Sequence, residues 1–256
     1  MIMRASCLMV LAAVALPLGA QSLAGRVAAE RNGTVMFQFA ARAGVCGDGY
    51  SFIRHGRTFF GSYSDANRYG DCTTGPVLVR LTLSDGVVER VQTWVGPVRA
   101  HDAKSIGVVP AREAADYLLS IAMQVNGRTG SNALLPAILA DSAVVWPQLL
   151  RIARDSETRS RSLRIDAMHW LSRFAAGATT GRPNTPWIDD GDDEYDKIKE
   201  NAVFVLSQMR DDTRIPALID VARKNADAHV RGSALFWLGQ TGDSRAIDLF
   251  ESILRG

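Results

Sequence analysis

The chain is short of several things that usually betray a function. Lysine is scarce, 4 residues against 25 arginines, and the formal net charge is only +2. No field of one sign runs through the molecule, which disfavours nucleic acid or an anionic membrane as partner. Cysteine is nearly absent, with Cys7, Cys46 and Cys72 alone, too few for a thiolate zinc framework. The four histidines show no H-E-x-x-H spacing, and no phosphate loop, dinucleotide fingerprint or serine elbow occurs. No metal, no cofactor and no catalytic apparatus is therefore expected, and the chain reads as a non-enzyme.

Long apolar runs are missing too, with one exception at the start. Leu8 to Leu18 is apolar apart from one proline, Arg4 is the sole charge before it, and small residues follow at Gly19, Ala20, Ser22 and Ala24. That run is too short to span a bilayer and has the layout of a secretory signal, assigned to residues 1–24, with cleavage after Ala20 or Ala24. Export to the periplasm or beyond follows, with no membrane insertion once the signal is cut. Cys7 leaves with it. Cys46 and Cys72 then form an even pair, which in an exported chain points to a disulfide.

What is present divides into two patterns. Over residues 25–98 the apolar residues alternate: Thr34 to Ala41 and Arg57 to Tyr63 are β-prone, and Val77 to Leu83 meets Val87 to Val95 across Asp85-Gly86, a hairpin signal. The expectation is a small β module stapled by its disulfide, since so small a unit has little core of its own. Residues 99–109 read as a linker.

From residue 110 to 256 the period is helical and it repeats. Leu163, Ala167, Trp170, Leu171 and Phe174 recur as Ile198, Ala202, Val205, Leu206 and Met209, then as Val230, Ala234, Trp237, Leu238 and Thr241. Each set lies on one face of a helix. A spacing of 35 and then 32 residues between copies leaves room for one helical hairpin each. Stacked hairpins make an α-solenoid, so the fold class is mainly α, preceded by the β module.

The phrases from Lys199 to Arg223 and from Val230 to Leu254 resemble HEAT repeats of the short bacterial kind related to phycobilisome lyases. A hydrophobic-basic pair opens the helix, Ala and Leu sit in its core, and Gly-Asp-x-Arg precedes the next helix. The resemblance implies a scaffold or regulator that binds a protein partner on a concave face.

One stretch breaks the pattern. Where the middle repeat should have its outer helix, residues 177–194 carry glycine, proline and a block of acids, so a loop insertion is expected there. Its Asp189 to Glu194 run lacks the alternating ligand spacing of a calcium loop.

Four residues stand out as binding candidates. Arg164, Lys199 and Arg231 share one repeat position and would form a basic row, either gripping an acidic partner or pairing with nearby acids such as Asp227. Trp187, within the insertion, would be an exposed anchor or a plug over the gap left by the missing helix. His169 stands where the other copies have Phe204 and Phe236, so it reads as an aromatic-like filler.

Overall fold

The computed structural model describes residues 21–56, 58–61, 72–97, 102–157, 159–182, 184–187 and 194–256, with residues 194–198 as backbone alone. About half of the chain is helical. A first four-stranded sheet has the order β7-β6-β1-β8, built from β1 (Gly33–Phe39), β6 (Val77–Ser84), β7 (Val87–Val95) and β8 (Lys104–Val108). The β6–β7 hairpin turns on Asp85 and Gly86, with φ of 50° and 81°. Two positive φ values match the right-handed twist of the flanking strands. Alternation sends Val35, Phe37 and Phe39 of β1 inward, beside Val77, Val79 and Leu81 of β6.

A second, smaller sheet has the order β4-β3-β2-β5: β2 (Val45–Gly47), β3 (Phe52–His55), β4 (Thr58–Gly61) and β5 (Thr73–Thr74). The Cys46–Cys72 disulfide ties β2 to the residue preceding β5. Asp48 shapes the turn into β3, accepting hydrogen bonds from the backbone of Tyr50, Ser51 and Phe52 and from the Ser51 hydroxyl. Burial works to raise its pKa, yet those donors outweigh it and hold the carboxyl down to about 2.

The helices are α1 (Leu23–Ala28), α2 (Ala111–Gln124), α3 (Gly127–Leu139), α4 (Trp146–Arg154), α5 (Arg161–Thr179), α6 (Glu194–Ser207), α7 (Asp211–Lys224), α8 (Ala228–Gly239) and α9 (Ser244–Arg255). Among the described residues none is long and apolar enough to cross a membrane.

Three expected boundaries move. Helix α1 begins inside the segment 1–24 assigned to the signal: Ser22 caps it, Leu23 is fully buried, and the Leu23 amide donates to Glu113 at 2.5 Å. The expected linker 99–109 contains β8, which pairs parallel to β1 because Lys104 to Val108 can complete that edge. At the insertion 177–194, α5 runs on through Thr179 and α6 already starts at Glu194. Asp189 to Asp193 lie outside the described residues.

The β region and the helices share one continuous hydrophobic core. Arg42, after β1, fastens them together. Its Nε donates to the carbonyl of Ile138 at 2.7 Å, Nη2 to that of Ala143 at 2.5 Å, and Nη1 to that of Asn184 at 3.1 Å. Desolvation lowers its pKa, against the pull of Asp141.

The regular stack of a solenoid is not what these helices make. In such a stack each hairpin contacts its neighbours in chain order. Here the α8–α9 hairpin packs on α4–α5, and α6–α7 lies beyond it, against α8. Helices α5 and α8 run antiparallel, since Arg231 at the start of α8 reaches the Thr179 carbonyl and Gln240 at its end meets His169. Small residues make this possible. A Cβ at Gly239 would sit 2.6 Å from the Ser172 Oγ, so glycine lets the two backbones close up.

Displacement changes which face α6 buries. Ala202 is exposed, Val205 and Met209 are 61% and 44% exposed, and Leu206 is half-buried, whereas Val203 and Ser207 are buried. The packed face is thus rotated by about 100°, one residue around the wheel, from the face the repeat defines. With no helix preceding it and α8 seated beside α5, α6 docks onto α8 by its neighbouring stripe.

Candidate functional site

Three helices frame the largest groove found among the described residues. Helix α5 starts at Ser160, whose hydroxyl accepts from the Leu163 amide at 3.3 Å. Helix α8 starts at Asp227, which accepts from the His229 amide at 2.9 Å. The same carboxylate holds Lys199 of α6 at 2.5 Å. That ammonium lowers the Asp227 pKa, with the backbone of His229 and Val230 adding to the effect. Asp227 therefore caps one helix and moors another.

The groove has a volume of about 610 Å³. One wall is α5, with Ser172, Arg173 and Ala176; the other is α6, with Glu200, Asn201 and Phe204. Helix α8 forms the floor through His229, Gly232, Ser233, Phe236 and Trp237. Aromatic contacts order that floor: Phe236 and Trp237 meet edge to face at 5.2 Å, and Phe204 tilts against Trp237 at 5.3 Å. Phe204 is 44% exposed, and the exposed Val205 and Met209 extend the apolar surface outward along α6. The result is a mostly apolar trough with an arginine on one wall and a glutamate on the other.

His169 braces the α5 wall from behind. Arg173 Nε donates to its Nε2 at 3.3 Å, Gln240 meets its Nδ1 at 2.8 Å, and its ring packs edge to face on Trp170 and Phe236. Burial, helped by the Arg173 charge, pushes its pKa down to about 4. It is a neutral packing residue, as its aromatic counterparts suggest.

The expected basic row does not form. Lys199 and Arg231 converge on the N-terminus of α8, where Arg231 donates to the carbonyls of Asn225 and Ala226, both at 2.9 Å, and of Thr179 at 3.0 Å. Arg164 sits near the opposite end of α5, about 20 Å away at 1.5 Å per residue. Its Nε is buried without a hydrogen-bond partner among the described residues. The antiparallel docking of α8 on α5 is the reason, since a row needs parallel copies.

Trp187 is no exposed anchor. It is 5% exposed, stacked on His55 at 4.7 Å and edge-on to Phe60 and Trp170 at 5.8 and 6.0 Å. It cements the small sheet to α5, because its residue lies where the chain leaves that helix and folds back over β3 and β4. Its Nε1 has no hydrogen-bond partner among the described residues. His101 lies outside them.

Sequence reasoning missed the groove. One signal was available: the residue after Leu171, Leu206 and Leu238 is Ser172, Ser207 and Gly239, small and buried in every copy. A recurrent small residue beside the core face marks a close helix–helix approach. No group of histidine, cysteine or acidic side chains among the described residues has metal-binding geometry.

A family described as PBS lyase HEAT-like repeat matches residues 230–256, the α8–α9 hairpin. That hairpin is HEAT-like. No curated protein and no solved structure matches the chain.

Proposed function

We propose that the protein is an exported binding scaffold or regulator, and that it recognises a protein through the α5–α6–α8 groove. The observation that carries this reading is the groove itself, an apolar trough of about 610 Å³ whose aromatic wall continues into exposed Val205 and Met209. Exposed apolar surface of this kind, rimmed by polar groups, is how protein interaction sites present themselves. The HEAT-like hairpin supports a scaffold role, although the binding surface is this groove and not the concave face of a regular solenoid. In this reading the chain carries no chemistry of its own.

Export is supported by the leader-like start and by the Cys46–Cys72 disulfide, which persists in oxidising compartments. Of the two cleavage positions, the one after Ala20 is favoured. It keeps Ser22 and Leu23, which cap and anchor α1.

The test is affinity capture from the envelope fraction of the producing organism, comparing the parent with Phe204→Asp and Ser233→Trp. A partner retained by the parent and lost with both folded variants supports the groove. Equal capture by all three moves the site elsewhere.

A further inference from the structure

Resting on the protein-binding reading, we infer that the groove is built for one amphipathic α-helix supplied by the partner. The shape argues for it first. Helices α5 and α6 both lean on α8 without packing extensively on each other, so what separates them is a channel flanked by two helices and floored by a third. Its floor and one wall are lined with Gly232, Ser233, Ser172 and Ala176, small side chains that let another helix approach to the usual 8–10 Å between axes. A helix of about 10 Å diameter, sunk to half its width, would fill it with about three turns.

The sequence of the repeats points the same way. Helix α5 is preceded by α4 and α8 by α7, and each packs on its predecessor. Helix α6 has no predecessor: between α5 and α6 none of the described residues 180–187 is helical. The chain thus lacks one helix of its own pattern next to the helix that leaves Ala202, Phe204, Val205 and Met209 uncovered.

Backbone chemistry excludes an extended peptide. The walls and floor are helices whose amides and carbonyls are already bonded along their own axes, so a strand laid between them would find no ladder and would lose its hydrogen bonds to water. A helix brings its own. Charge then sets the orientation: with Arg173 on the α5 wall and Glu200 on the α6 wall, the incoming helix carries acid along its α5 flank, base along its α6 flank, and apolar residues at i, i+3, i+4 and i+7 between them.

The probe is a stapled, fluorescently labelled peptide of about 16 residues with that pattern, titrated against the purified protein beside an isomer of equal composition interrupted by two prolines. The inference expects the helical peptide to bind roughly tenfold or more tighter than its isomer, and Phe204→Asp and Ser233→Trp each to weaken it several-fold with unchanged far-UV circular dichroism. Equal binding of the two peptides, or indifference to both variants, overturns it. So does a dimer in sedimentation that Phe204→Asp dissociates, since a second copy would then fill the groove. If envelope capture still depends on Phe204 while the helical preference is absent, the helix falls and protein binding stands. If neither capture nor peptide binding occurs, both fall.

Discussion

Trp187 and His169 show how single side chains hold the frame behind the groove. Replacing Trp187 with alanine removes the ring that fills the junction of β3, β4 and α5 and should cost about 3–5 kcal/mol. Trp187→Phe should cost clearly less, because it keeps an aromatic face for His55 while deleting an indole N–H that has no acceptor; urea unfolding of the two variants checks the order. His169 makes a pH prediction. Its folded pKa, about 4, lies below the unfolded value near 6.5, so above pH 6.5 its contribution to stability is complete. As pH falls from 6.5 to 4 the unfolded chain takes up a proton that the folded chain refuses. Stability declines across that window, by on the order of 2 kcal/mol after allowance for partial exposure, and flattens below it. His169→Phe, the residue type of the other two copies, should reduce the loss of Tm between pH 7 and pH 4.5 relative to the parent.

At the scale of elements, the close antiparallel seam of α5 and α8 decides the architecture. Gly239→Ala would drive a methyl to 2.6 Å from the Ser172 Oγ and 2.7 Å from its Cβ, an overpacking that should cost about 1–3 kcal/mol. Ser172→Gly in the same chain should recover much of that loss despite being unfavourable alone in a helix. A double-mutant cycle by denaturant unfolding reads the coupling. The same seam marks where the sequence stopped being legible. Helical period placed the helices, and Asp85-Gly86 placed the hairpin, because both signals are local. Residues Ile198 to Met209 carry a sound helical face, but which face of α6 is buried depends on α8 having taken the place beside α5, a long-range choice that no window contains. Lys199 and Arg231 share a repeat position and do meet at the α8 N-terminus; Arg164 shares it equally and lies at the other end of α5. Trp187 sat among glycine, proline and acids, so nothing nearby disclosed the small sheet it packs against.

For the whole molecule the controlling fact is the unbroken core that runs from β1 through α9. Two sequence patterns suggested two parts, yet Arg42 and Trp187 join them, and unfolding should be one transition in both far-UV and near-UV circular dichroism. The Cys46–Cys72 bridge encloses a separation of 26 residues, for which loop entropy gives about 3–4 kcal/mol. Converting both cysteines to serine should therefore lower the single Tm by roughly 6–16 °C at about 2–4 °C per kcal/mol, where a separable β module would instead melt alone and leave the helices untouched.

Function rests on the groove that this assembly leaves open between α5 and α6. The most direct measurement is site-specific photo-crosslinking in the producing organism, with benzoylphenylalanine placed at Ser233 on the groove floor, at Asn201 on its α6 wall and, as a control, at exposed Glu89 on β7. A protein-binding groove predicts the same discrete protein adduct from positions 233 and 201 and none from 89. No adduct from the groove positions, or the same adduct from all three, would contradict it.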